Sequence, residues 1–309
     1  MSSNIISPSI DQGALEMFQD NFHEMAQQSK SKLVGAGIFK FLPSKGKTHH
    51  YARIGRLNLV EVEGRNPNKQ YGDYALDNRQ FSKRRFTRTI TVDAKHDMNE
   101  LLKDPTSNII SELDKAKERV VDRIGLSAAV GSVLTGAPDA APTTTTAAQD
   151  GVITVDASAG VTYAKVLEVT ENYINNDLDE SDFEGACWAI TGTEHTDLMN
   201  EDKFINNDYM NDKPVAAGQM NRAGLYRLKK FAGSKTGGIT VTNPIVPEGA
   251  TLRSCAVMAP ESVVMSMELN KMGVEKSATK VNSYDITIDF WINAMRTEGA
   301  RVQIVSTTI

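Results

Sequence analysis

The residues of this chain that could do chemistry are five histidines, two cysteines, one acidic run and one basic run. His23, His49, His50, His96 and His195 stand in no His-Glu-x-x-His pattern and at no zinc spacing. His49 and His50 are adjacent, so on a strand they face opposite ways and cannot share a metal. Solvated or structural roles are expected for all five. Cys187 and Cys255 form no Cys-x-x-Cys pair and no disulfide framework. They read as small buried apolar groups in a reducing compartment. The run DLDESDFEG (177–185) has the acid density of a calcium loop. Its sixth position is Asp182, where the sharp turn requires Gly, and its twelfth is Trp188, where a bidentate Glu is required. It therefore reads as a solvated loop after a helix. GSKTGG (233–238) lacks the glycines of a phosphate loop: Lys229 and Ser234 occupy those positions, and a hairpin turn is expected. No Gly-x-Ser-x-Gly surrounds a serine. No catalytic residue, metal ligand or cofactor is assigned, and the chain is not expected to be an enzyme.

The basic run KRRFTR (83–88) is the sharpest local feature. On a strand, Lys83 and Arg85 share one face while Arg84, Phe86 and Arg88 share the other. Such a cluster can grip phosphates, remain a solvated charge run, or lie on an acidic protein surface. The charge distribution favours the last. Residues 1–29 carry four acids and no Lys or Arg, residues 30–96 carry 15 basic and 5 acidic residues, and residues 97–309 carry 19 and 30. A segment of +10 is thus joined to a body of −11, and copies of one chain can neutralise each other. Interleaved exposed aromatics and any known nucleic-acid module are lacking. Lys83, Arg84, Arg85 and Arg88, with Tyr71 and Tyr74, are the expected inter-subunit contacts.

These residues need elements to present them. Residues 11–32 read as an amphipathic helix capped by Asp11, with Leu15, Phe18, Phe22, Met25 and Ala26 on one stripe, ended by Gly35 and Gly37. Leu15, Phe18 and Phe22 are expected to pack on another element. Residues 37–95 read as extended. Leu57, Leu59, Val60 and Val62 suggest short strand runs, and Phe86, Ile90 and Val92 alternate with threonines at a period of two. Between them, residues 63–78 are rich in turn formers and read as the tip of a long hairpin that needs a partner. Residues 104–134 predict a spine helix of about 45 Å, with Asp104 as N-cap, Pro105 at the first position, and Ile109, Leu113, Val120 and Ile124 as its core stripe. Residues 136–160, with the Thr143–Thr146 run, read as an exposed loop with a short strand at 152–155. A helix over 162–176 should turn Tyr163, Val166, Leu167, Tyr173 and Ile174 inward. Cys187–Ile190 is a buried strand, 193–204 a short helix, and 239–241, 252–258, 286–292 and 302–305 are strands. The fold class is α+β with segregated elements.

Composition is that of an ordinary globular chain, 40% apolar and 24% charged with a net charge of −5. The first residues lack the basic-then-apolar pattern of a secretory signal, and no run approaches the ~18 apolar residues of a membrane span.

The order of features from residue 63 onward resembles the tailed-bacteriophage major capsid proteins of the Hong Kong 97 type, especially their podovirus-like branch. DPTSNIISELDKAKERVVDRIGLSAAVGSVLTG (104–136) is similar to the family's spine helix, with Asp104, Pro105, Ser107, Asp122 and a Gly131 to Gly136 exit. The stretch 192–231 is similar to its short helix, Asp-Tyr pair and Gly before a strand, here Leu198, Asp208, Tyr209 and Gly218. LRSCAVMAPESVVMSM (252–267) follows. FWINAMRTEGARVQIV (290–305) is similar to the closing strands with their Arg-x-Glu turn, Arg296 and Glu298. The chain departs from the family's Gly-Phe at Gly224, Leu225 and Tyr226.

The resemblance implies an N-terminal arm (1–36), an extended β-hairpin or E-loop (37–95), a peripheral domain (96–180 and 251–309) and an axial domain (181–250). It implies a structural protein that assembles through hexamers and pentamers into an icosahedral virion shell around double-stranded DNA. Assembly would take place in the bacterial host cytoplasm. The implied partners are other copies of itself, a scaffolding protein, a portal, and packaged DNA contacted non-specifically, with no membrane. A nucleic-acid-binding protein using residues 83–88, and a hydrolase with an unrecognised site, are the competing readings.

Overall fold

The computed structural model describes residues 27–63, 68–69, 71–93, 106–136, 141–205, 220–233, 243–247 and 251–309. Leu15, Phe18, Phe22, Asp104, Pro105, the 234–238 turn and the 239–241 strand lie outside them. The described strands in chain order are β1 (Phe39–Phe41), β2 (Thr48–Ile54), β3 (Leu76–Ser82), β4 (Arg84–Asp93), β5 (Val133–Thr135), β6 (Thr143–Thr145), β7 (Ile153–Asp156), β8 (Cys187–Ile190), β9 (Arg222–Ala223), β10 (Tyr226–Lys230), β11 (Leu252–Met258), β12 (Val263–Lys276), β13 (Ser283–Arg296) and β14 (Val302–Thr308). The helices are α1 (Thr106–Val130), α2 (Tyr163–Asn175), α3 (Glu180–Phe183), α4 (Gly192–Met199) and α5 (Asp202–Ile205). The architecture is α+β. The chain divides into two compact units, and α1, β4, β12 and β13 contribute residues to both.

In the smaller unit (described residues 27–29, 86–93, 106–117 and 269–290), the period-two pattern is obeyed. Ile286, Ile288 and Phe290 of β13 are buried, and Phe86 of β4 stacks on Phe290 at 5.7 Å. The intervening residues make the polar face: Thr89 meets Thr287 at 3.1 Å and Thr91 donates to Asp285 at 2.8 Å. Alternation separates the two faces because successive strand side chains point opposite ways. On α1, Leu113 is buried and Ile109 is half-buried.

The larger unit (the other described residues) holds two further sheets. One has the order β7-β14-β11-β8-β10-β9. β8 lies between β11 and β10 and is buried at all four residues, which is why it reads as a continuous apolar run instead of an alternation. α2 places Tyr173 in this core, where its hydroxyl donates to the Val257 carbonyl at 3.2 Å and its ring stacks on Phe183 at 5.3 Å. The second sheet has the order β2-β3-β5-β6. Within this unit α1 is buried at Val120, Val121, Ile124, Leu126 and Ala129. Gly125 is required there: a Cβ on it would lie 2.4 Å from the Phe39 ring. The carboxylate of Asp122, also buried, accepts from the Ser31 hydroxyl at 2.5 Å and from the Lys32 and Leu33 N–H groups at 2.9 and 3.2 Å, and so clasps the chain before β1.

Several sequence expectations are corrected. Residues 27–33 are not helical, so the 11–32 helix does not reach its expected end; a 3-10 turn, Val34–Ala36, follows and closes on Gly37 at φ 72°. Leu57, Leu59, Val60 and Val62 are in no strand, because the hairpin pairs β2 with β3 instead, and Leu76, Asp77 and Asn78 belong to β3 and not to the tip. α1 stops at Val130, four residues early, where the chain turns into β5. Part of the threonine run forms β6, an edge strand on β5. Leu167 and Ile174 point outward, 50% and 59% exposed, although Val166, Val169 and Tyr173 carry the buried stripe.

Candidate functional site: an exposed hairpin on a buried ionic footing

The β2–β3 hairpin runs in antiparallel register from Thr48↔Ser82 to Ile54↔Leu76, and one more bond, Gly55 N–H to Ala75 O at 2.8 Å, closes the ladder. The chain beyond it is the tip. Ile54, Leu57, Leu59, Val60, Val62, Tyr71, Tyr74 and Leu76 are all largely exposed, from 42% at Val62 to 101% at Leu59. Large apolar side chains exposed in this number along one segment are candidates for an interaction site, and a two-stranded ribbon cannot bury them on itself. Tyr71 and Tyr74, expected as contact residues, are among the exposed groups.

The root of the hairpin is held by ions taken out of water. Arg79 of β3 and Arg296 of β13 are both fully buried, and the Asp150 carboxylate lies between them. Arg79 donates to both oxygens of Asp150 and to the Arg296 carbonyl at 2.9 Å. Arg296 donates to Asp150 at 2.8 Å and, through Nη1, to the carbonyls of Ala129 and Gly131 at 2.7 and 2.9 Å. The last groups lie at the C-terminal end of α1, where unbonded carbonyls favour a cation. Burial lowers the pKa of Arg296 and the Asp150 charge opposes that. Arg53 extends the network, donating to Asp77 at 2.6 Å. Gly299 makes room for the loop bearing Asp150, since a Cβ there would meet the Asp150 carbonyl at 1.9 Å. On the hairpin's other flank, Arg56 donates to Asp177 at 3.0 Å and to the Asn176 carbonyl at 2.7 Å.

Of the basic run, Lys83 is corrected. It lies between β3 and β4, is buried, and binds Glu268 at 2.5 Å and the Ser44 carbonyl of its own chain. Arg84 and Arg85 are exposed in the larger unit, and Arg88 is exposed on β4 in the smaller. Leu113, Val120 and Ile124 of the spine stripe are buried, as the periodicity predicts. Sequence reading missed Arg79 and Asp150. An arginine inside a strand was the only signal, and its partner 71 residues away stood in a stretch that reads as solvated loop.

Of the remaining candidates, His23 and His96 lie outside the described residues. His49 stacks on Phe81 at 5.4 Å, and His195 accepts the Met220 N–H at 3.1 Å. Burial pushes the Cys187 thiol up to about 12 and the Cys255 thiol higher, which disfavours the reactive thiolate in both. Asp182 of the acidic run faces Arg301 at 3.4 Å. Among the described residues no three His, Cys, Asp or Glu side chains could hold a metal, and no helix is long and apolar enough to cross a membrane. The arrangement is a hairpin with a buried ionic root and an exposed apolar end.

The model of the phage capsid protein family matches residues 10–308. No curated protein matches the chain. Among solved structures, the fold is similar to that in the capsid structure of the Cyanophage P-SCSP1u (15% identity, TM-score 0.66, covering 95% of this chain and 93% of that one). It is similar also to the acidic stable capsid structure of Helicobacter pylori bacteriophage KHP30 (7%, 0.69, 100% and 99%) and to the bacteriophage PhiM1 mature capsid (13%, 0.67, 95% and 92%).

Proposed function

The chain belongs to the phage capsid protein family, and we propose that it builds its shell by seating the β2–β3 hairpin of each copy on the next. It is a structural protein of the Hong Kong 97-type fold that forms the virion shell, and not an enzyme. The observation that carries the hairpin reading is the set of eight large apolar residues exposed between Ile54 and Leu76 on a root fastened by buried ions. The braced root also lowers the conformational cost of docking.

In this reading residues 1–36 are the arm and 37–95 the E-loop region, 96–180 with 251–309 form the peripheral domain, and 181–250 form the axial domain. Arg84, Arg85 and Arg88, with Tyr71 and Tyr74, contact the adjacent copy. Hexamers and pentamers are the intermediates, with a scaffolding protein and a portal as partners, double-stranded DNA as the enclosed cargo, and the host cytoplasm as the place of assembly. These follow from the family resemblance of the podovirus-like branch.

The test is electron microscopy of the expressed full chain, alone and with a scaffolding protein. Closed particles are expected. Tyr71→Ser with Tyr74→Ser should abolish them while leaving the circular dichroism of the subunit unchanged. Particles of normal yield from that double variant would show that the tip is not the contact.

A further inference from the structure

Next to the hairpin's root, β1 ends at Phe41 and the chain runs through Leu42, Pro43, Ser44, Lys45, Gly46 and Lys47 into β2. The loop is pinned along its backbone. Leu42 N–H donates to Met265 O at 2.9 Å, Ser266 Oγ to Pro43 O at 3.1 Å, and Lys83 N–H to Lys47 O at 2.8 Å, while the Lys83 ammonium binds the Ser44 carbonyl. Gly46 takes φ 98°, a conformation that side chains resist, which makes the turn tight. Lys83 therefore serves the surface indirectly: buried itself, it fixes a loop that presents Lys45 and Lys47 to solvent. Beside them are Arg84, also exposed, and the Phe41 ring, 53% exposed. The knuckle is thus apolar and basic. Lys45, Lys47 and Arg84 meet no carboxylate among the described residues.

Elsewhere in the same unit, one helix face is the chemical converse. Leu167, Glu171 and Ile174 recur at i, i+4 and i+7, so they share the outer stripe of α2, and both aliphatics are at least half exposed. Asp179 and Glu180, exposed and without a cation partner among the described residues, follow at the turn into α3. Large aliphatics on the solvent side of a helix whose opposite stripe is core are surface awaiting a cover.

We propose that the loop 41–47 knuckle, with Arg84, docks on the Leu167–Ile174 face of α2 in the adjacent copy, its cations meeting Glu171, Asp179 and Glu180. This rests on the reading of the chain as a self-assembling shell protein and names a second contact beside the hairpin tip. The occupant is another copy because the two faces match in both apolar character and charge and are carried by one chain. A head-to-tail contact between unlike faces of identical subunits is what closes a ring. The pinned loop loses little freedom on docking, so weak exposed pairs still contribute.

The test is a charge swap in the full chain. Lys45→Glu, Lys47→Glu and Arg84→Glu form one set, and Glu171→Lys, Asp179→Lys and Glu180→Lys the other. Each set alone should cut particle yield by about tenfold or more with unchanged thermal melting of the subunit, since like charges then face each other. Both sets together should restore the yield. Normal particles from either set alone, or no restoration by the combination, would overturn the proposal. If the first set assembles normally but retains less of a double-stranded DNA probe, the knuckle faces nucleic acid and not a second copy. If a charge-swapped subunit fails to fold, Leu167→Ser with Ile174→Ser reads the same contact without altered charge: particle yield should fall, and an unchanged yield overturns the proposal. A failed swap in a chain whose unmodified form makes particles sinks this contact alone. An unmodified chain that makes none, with or without scaffold, sinks the shell reading and this contact together.

Discussion

Two side-chain clusters set the residue-scale energetics. The first is Arg79–Asp150–Arg296. Buried ion pairs contribute little over an apolar replacement, because desolvation offsets attraction, but removing one member strands a buried charge. Arg296→Met should therefore cost about 3–5 kcal/mol in denaturant unfolding of the subunit, while the triple change Arg79→Met, Asp150→Leu, Arg296→Met should cost less than the single one. The second is Glu194, fully buried, which accepts from the Thr191 N–H at 2.8 Å, from the Thr307 hydroxyl at 2.6 Å and from Arg253 at 3.1 Å. Burial works to raise its pKa, but the hydrogen bonds from Thr191 and Thr307 prevail and hold it below the ordinary value of 4.5. A depressed folded pKa means stability that is present above the unfolded value and is lost as pH falls through the folded one. The stability gap between the unmodified chain and Glu194→Gln, measured by urea unfolding across pH 7 to 3, should narrow below about pH 4.5. A gap constant with pH would show that folding leaves the Glu194 pKa unshifted, and a gap that widens as pH falls would show that Glu194 is neutral in the fold.

At the scale of elements, α1 is positioned by what touches its end. Asp122 clasps residues 31–33, Arg296 bonds the carbonyls at its exit, and Phe39 packs against Gly125. Gly125→Ala would by itself raise helix propensity. Here the added methyl overlaps the Phe39 ring, so the expected result is a loss of about 1–3 kcal/mol. Phe39→Leu in the same chain should recover part of that loss. Both are read from unfolding midpoints, and an alanine variant as stable as the parent would show that β1 shifts freely. The hairpin is a different kind of element: its register pairs residues whose side chains mostly face solvent, so the buried root rather than the strand contacts keeps its direction.

At the scale of the whole molecule, assembly joins weak contacts repeated in every subunit of a shell. In the proposed contacts, each exposed arginine or lysine around the hairpin would contribute about 0–1 kcal/mol against an acidic neighbour. Their reach falls from about 10 Å at 0.1 M salt to about 3 Å at 1 M. Particle formation followed by light scattering should slow as salt rises over that range, and the slope should flatten in Lys45→Gln with Lys47→Gln. A rate that increases with salt would mean that the apolar tip alone controls association, since salts strengthen apolar burial.

What the sequence determined by itself is local. The spine stripe, the β4 and β13 alternation and the fully apolar β8 were legible because burial repeats at the period of the element that carries it. The motif order from Asp104 to Val305 led to the capsid family, and the family match agrees with it. The tertiary structure decided everything that depends on which distant residues meet. Lys83 looked like a surface contact in a basic run, yet Glu268 and Ser44 draw it inside. Asp150 looked like a loop residue, yet two arginines from β3 and β13 enclose it. Leu57 to Val62 looked like a strand, yet the ladder closes at Gly55 and leaves them bare. Leu167 and Ile174 looked like core, yet Tyr173 and Val166 fill the space over the sheet, and the helix turns its other aliphatics to solvent. Periodicity states how many apolar residues an element has, but only the packed neighbours decide which of them find a cover within the chain and which stay exposed.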